Sequence, residues 1–143
     1  MKAILFPKYG PPDVLQLEEV EKPTPKENEV LIKVHAAAAN PLDWRRMEAD
    51  PWFVRMSEGF FTPNDPRLGA DMAGVIKEVG SKVTEFKPGD AVFGCSKGAF
   101  AEYACFPEDV VALKPATISF EEAASIPIVG YTALQGLRDY GEI

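Results

Sequence analysis

The chain has 143 residues, 46% of them hydrophobic and 26% charged, the balance of one soluble globular domain with a real core and too little length for two. Its formal charge of −7 argues against nucleic acid or an anionic membrane as the main partner. The opening "MKAILFPKYGPP" holds too short an apolar patch for a signal-peptide core and nothing later approaches a membrane span, so the expectation is a cytoplasmic protein.

Two runs, "KAILF" (Lys2–Phe6) and "VLQLEEV" (Val14–Val20), read as strands around a "YGPPD" turn, and "KPTPKENE" (Lys22–Glu29) reads as a polar, proline-marked loop. The clearest strand is "VLIKVHA": Val30, Ile32, Val34 and Ala36 share one face, and Leu31, Lys33 and His35 the other. The alanine run Ala36–Ala39 keeps the next stretch slim. A short helix should begin at "NPLDWRRME", with Asn40 as N-cap, Pro41 at the first helical position and Asp43 complementing the helix dipole. The aromatic and proline-rich "ADPWFVRMSEGFFTPNDPR" reads as a long ordered loop.

The β pattern returns from Leu68 in "MAGVIKEVG", "KPGDAVFG", "AFAEYACF" and "VVALKP", with a Pro-Gly turn over Lys87–Asp90, which suggests a small barrel or sandwich. "SFEE" (Ser119–Glu122) is a capping box. Pro127 suits the first turn of a further helix, along one side of which Val129, Ala133 and Leu137 are spaced by four. The division expected is a β domain over residues 1–120 and a helical segment over 121–143.

Most familiar chemistries find no purchase here. No two of the eleven glycines lie two apart, so the chain carries no dinucleotide fingerprint, and it has no Walker lysine motif. His35 is the only histidine, and Cys95 and Cys105 stand ten residues apart outside any C-x-x-C pair. No metal site is expected from such spacing, and both thiols read as reduced and structural. There is no G-x-S-x-G. Two sets remain. Asn40 and Asp43 sit where a strand empties into a helix, beside Trp44 and the aromatic loop; they are either pure caps or site residues. Asp71, in "LGADMAGVIKEVG", is an acid in an apolar run and needs hydrogen-bond partners if buried.

Taken in order, "YGPPDVLQLEE", "NEVLIKVHAAAANPLDW", "LGADMAGVIKEVGSKVTEFKPGDAVFG", "GAFAEYACFP" and "LKPATISFEEAASIPIVGYTALQGL" resemble the N-terminal half of the medium-chain dehydrogenase/reductases, and within them the zinc-free quinone oxidoreductases. The resemblance spans nearly the whole chain. It implies a mainly β fold with a few short helices, a GroES-like, partly open β-barrel serving as catalytic domain. A Rossmann domain holding NADPH or NADH would follow in a chain that is a homodimer when full length. The zinc alcohol dehydrogenases of this superfamily place a cysteine at the start of a C-x-x-D motif, where Asn40-Pro41-Leu42-Asp43 stands here, and a Gly-His-Glu motif where Gly69-Ala70-Asp71 stands. Both zinc ligands are thus replaced, and the lobe that carries four further cysteines is reduced to "FGCSKGAFAEY". The implied reaction is hydride transfer from NAD(P)H to a quinone or an α,β-unsaturated carbonyl. Asn40 and Asp43 would be the catalytic pair, Trp44, Phe60 and Phe61 an aromatic wall for the substrate, Asp71 the acid beneath them, and Thr132 a neighbour of the nicotinamide. Some relatives carry a tyrosine after N-x-x-D; Trp44, Arg45 and Arg46 follow here. A non-catalytic binding or structural module on the same barrel is the alternative.

Overall fold

A computed structural model describes residues 1–141. The chain opens with β1 (Lys2–Leu5) and β2 (Gln16–Glu19), which pair antiparallel. Val14 spends itself in a 3₁₀ turn over Pro12–Val14, so β2 starts two residues later than the apolar pattern suggests. Five more strands follow: β3 (Glu29–Ala38), β4 (Asp71–Val79), β5 (Ala91–Cys95), β6 (Tyr103–Pro107) and β7 (Val111–Leu113). They form one antiparallel sheet in the order β6-β3-β4-β5-β7, which stays open rather than closing on itself. Bridges from Ala3 to Ala101 and from Leu5 to Arg67 tie the β1–β2 hairpin to the rest.

Period-two alternation builds the core. Val30 and Ile32 of β3, Met72 and Ile76 of β4, Val92 of β5 and Phe106 of β6 bury their side chains together on one side of the sheet. Leu31 is also fully buried, although it belongs to the face that the pattern marks as polar. The register of β3 on β4 shifts between Leu31 and Ile32 and again between Val34 and Ala36, and bulges of this kind re-aim side chains. His35 is exposed, its ring stacked on Phe120 with centroids 4.5 Å apart.

Among the described residues four α-helices accompany the sheet. The first, α1 (Pro41–Glu48), starts where the Asn40 N-cap and Pro41 place it. The segment read as a long loop contains a 3₁₀ turn over Trp52–Val54 and the single-turn α2 (Arg55–Glu58), because local carbonyls of Pro51 and Arg55 find N–H donors three and four residues on. The "SFEE" box opens α3 (Phe120–Ala124), whose Ser119 hydroxyl accepts from the Glu122 N–H at 3.1 Å. Ala123 and Ala124 lie flat on Ala73 of β4, a close approach that only small side chains permit. Last comes α4 (Pro127–Leu134), continued by a π-helical turn over Gln135–Tyr140. Its stripe of Val129, Ala133 and Leu137 is exposed along its length; only Pro127, at its start, is buried.

Candidate functional site

The alanine run sets the geometry. Ala36, Ala37 and Ala38 pair with Ala73, Met72 and Asp71, and Asp71 pairs on its other side with Cys95. A row across the sheet therefore reads Ala38, Asp71, Cys95. Two residues past Ala38 the chain turns into α1, and the Asn40 side chain reaches back over the row. Its Nδ2 donates to Asp71 Oδ2 at 3.1 Å and to the Ala38 carbonyl at 3.3 Å. The Asn40 backbone N–H donates to Asp43 Oδ2 at 2.8 Å, the reciprocal arm of a capping pair.

Asp71 is fully buried. It lies on the sheet face that α3 and α4 cover, and the Ile128 N–H in the first turn of α4 donates to both its oxygens, at 3.1 and 3.3 Å. That N–H belongs to the set a helix leaves without intrahelical partners, so a buried acceptor at this point answers an obligation. Cys95 is the strand partner of Asp71 on β5. Burial pushes the Asp71 carboxyl above its ordinary 3.8, while the Ile128 N–H, the neighbouring thiol and the Asn40 amide pull it back. Burial, together with the adjacent Asp71 carboxyl, pushes the Cys95 thiol up to about 12, so it stays a neutral thiol rather than a nucleophile. Asp43 is raised for the same first reason, burial; the Asn40 and Gly69 N–H groups counter it and the Asp71 charge adds to it. Gly69 must be glycine: its φ is +89°, and a Cβ there would stand 2.5 Å from Phe100.

In front of this network lies a cleft of about 390 Å³. Asn40, Pro41, Asp43, Trp44, Leu68 and Phe100 line it. The structure thus brings together Asn40, Asp43, Asp71 and Trp44. Phe60 and Phe61 form an edge-to-face pair at 5.1 Å, are 61% and 85% exposed, and do not line this cleft. Thr132 is exposed on α4 and donates its hydroxyl to the Ile128 carbonyl at 2.8 Å. Beside it, Phe93, Val111, Ile126, Gly130, Tyr131 and Leu134 border a second cleft of about 430 Å³.

Sequence reasoning passed over two participants. One is Cys95, read only as a structural thiol; its pairing with Asp71 depends on strand register, which no local motif encodes. The other is Arg46. Asp43, Arg46 and Met47 form the buried face of α1, at a spacing of three and four that was visible in the sequence. Arg46 donates to Glu58 Oε2 at 2.8 Å, to the Arg67 carbonyl at 2.6 Å and to the Asp65 carbonyl at 2.9 Å, and it stacks over Phe6 at 5.3 Å. Lys97 bonds the other Glu58 oxygen at 2.8 Å. This cluster clamps the segment after α1 against the domain.

A metal does not suit these residues. Among the described residues no three His, Cys, Asp or Glu side chains come together to hold one. Ala70, buried beside Asp71, has no side-chain ligating atom, and both Asp71 oxygens already accept hydrogen bonds from Asn40 and Ile128.

Residues 26–116 match the profile described as the alcohol dehydrogenase GroES-like domain. The chain is 42% identical to the 2-methylene-furan-3-one reductase of Solanum lycopersicum, an alignment that covers 99% of this chain and 38% of that protein. It is 39% identical to the quinone oxidoreductase of Sus scrofa over 96% of this chain and 40% of that one. The solved structure of the Escherichia coli quinone oxidoreductase complexed with NADPH superposes with a TM-score of 0.83 at 32% identity, covering 96% of this chain and 40% of that chain. The chain spans about two-fifths of the length of these relatives.

Proposed function

Because this chain belongs to the alcohol dehydrogenase GroES-like family of the medium-chain dehydrogenase/reductases, we propose that it is the catalytic-domain portion of a zinc-independent oxidoreductase. The full protein would use NADPH to reduce quinones or α,β-unsaturated carbonyls by hydride transfer. The observation that carries this reading is the Asn40–Asp71–Asp43 network at the head of the cleft. It is a closed set of hydrogen bonds standing where a zinc enzyme of the superfamily would need ligands. Residues 121–143 would lead into a nucleotide-binding domain, and the assembly would be a cytoplasmic homodimer.

The residues divide the labour as follows. Trp44, Leu68 and Phe100 give the cleft apolar walls that accept a flat ring and exclude water. Asp71 and Asp43 hold Asn40 from its side chain and its backbone, so its amide does not reorganise when a ligand arrives. Thr132, exposed on α4, and Gly130, half-buried at the rim of the second cleft, would meet the nicotinamide end of the cofactor. NADPH supplies the hydride when bound, and its phosphates would be held by the nucleotide-binding domain, since this chain has no glycine-rich phosphate loop.

The test is NADPH oxidation by the full-length protein over a panel of quinones and enones, before and after treatment with a zinc chelator. Turnover that survives chelation is expected. No turnover across the panel would refute the reading, and loss on chelation would refute its zinc-independent part. The 143-residue chain by itself should show none.

A further inference from the structure

Asn40 offers the cleft an acceptor, not a donor. An asparagine amide has two N–H donors and one oxygen with two lone pairs. Both hydrogens of Asn40 Nδ2 are engaged, one by Asp71 Oδ2 at 3.1 Å and the other by the Ala38 carbonyl at 3.3 Å. The reverse amide orientation is excluded by its neighbours: the oxygen would then face a carboxylate and a carbonyl with no hydrogen between them. Asp71 is held in place as an acceptor by the Ile128 N–H, which reaches both its oxygens. What Asn40 has left is Oδ1. The Asp43 N–H bonds the Asn40 backbone carbonyl at 3.0 Å and also faces the Asn40 side chain in the capping box, which takes at most one of the two lone pairs on Oδ1; that oxygen is not a buried orphan, and Asn40 lines the cleft.

Asn40 does not polarise a ligand carbonyl, because both of its N–H groups are taken. It rewards a ligand that brings its own hydrogen. The walls, Pro41, Trp44, Leu68 and Phe100, suit a flat apolar ring better than a sugar. We propose that Asn40 Oδ1 is the acceptor for a phenolic hydroxyl, so that the cleft selects ring ligands carrying an O–H over the same ring without one. The inference rests on the reading that this cleft is the substrate site, and it sharpens that reading. Asn40 recognises the reduced, hydroxyl-bearing side of the quinone couple, and phenols become ligands in their own right.

The experiment is calorimetric titration of the full-length protein with 4-methoxyphenol and 1,4-dimethoxybenzene, two redox-stable rings that differ by one O–H. The phenol should bind about tenfold tighter, the worth of one hydrogen bond in a dry site. Asn40→Leu should erase the difference. Asn40→Ala, a smaller change that also removes the acceptor, should erase it as well. Thermal melts establish which variants fold, and the alanine variant decides the matter if the leucine variant does not. Equal binding of the two rings overturns the proposal. So does a preference that survives in folded Asn40→Leu or Asn40→Ala, or an Asn40→Leu effect confined to the binding of NADP⁺. Quinone turnover is measured on the same protein. Turnover without ring discrimination sinks the acceptor assignment alone, whereas discrimination without turnover sinks the proposed activity alone.

Discussion

Replacing Arg46 with methionine should cost the domain about 3 kcal/mol, the low end for breaking a buried ion pair by removing one partner. Arg46 is 8% exposed, and three of its nitrogens reach Glu58, the Arg67 carbonyl and the Asp65 carbonyl. Methionine keeps the packing on Phe6 but leaves Glu58 with Lys97 alone, and Lys97 is half exposed. The two carbonyls lie near enough to the surface for water to replace part of what they lose, which sets the estimate at the low end. At this chain size a loss of that order lowers the melting temperature by roughly 10 °C. The loop before Arg67 should also become the first site of proteolysis. Acid should reproduce the effect. Burial alone would raise the Glu58 carboxyl, but Lys97 and Arg46 outweigh it and hold it below its ordinary 4.5. A carboxylate depressed in the folded state contributes stability above its unfolded value and loses it as pH falls through the folded one. Melting temperatures followed from pH 7 downward should therefore fall below about pH 4.5 in the parent protein, and the Arg46→Met variant should show a shallower acid limb. A loss under about 1 kcal/mol, or an identical acid limb in the two proteins, would refute the clamp.

Two further substitutions separate support of the site from its surface. Gly69→Ala forces a left-handed backbone and a Cβ onto Phe100, so it should cost about 2–3 kcal/mol by urea unfolding; a neutral result would mean that the Gly69 turn relaxes freely. Phe60→Ser with Phe61→Ser touches only exposed rings and should change stability by less than about 0.5 kcal/mol. If these rings close over substrate, as the sequence pattern suggests, KM in the full-length enzyme rises with kcat little changed; unchanged KM would remove them from the substrate wall.

What the sequence made legible was what local chemistry controls. Asn40 with Pro41, Ser119 with Glu122, and the β3 alternation all place their elements within a residue or two, because caps, proline and period-two burial act over a few residues. The meeting of Asn40 and Asp71 was half legible, since each stood out as an oddity in its own segment. Their contact depends on Ala38 facing Asp71 across two bulged strands. Cys95 and Ile128 could not be read at all, because strand register and the seating of α4 bring them in from 24 and 57 positions away. The Arg46 cluster was hidden differently: an arginine in a helix is usually a solvated charge, and only the carbonyls of the folded-back loop make burial tolerable.

Asp71 shows why a buried acid without a cationic partner can persist. No lysine or arginine contributes to its balance; its donors are the Asn40 amide and the Ile128 N–H. An apolar residue would fit between Ala38 and Cys95 with less desolvation, yet it would strand the Asn40 amide and the Ile128 N–H in a dry site, each at about 1–3 kcal/mol. Those two donors belong to different jobs. One orients the group at the head of the cleft, and the other seats the helix that begins at Pro127. A single carboxylate serving both means that the cleft lined by Asn40 and the root of α4 share one anchor. A shift of that helix is therefore felt first at the Asn40 amide, through two hydrogen bonds on one carboxyl group.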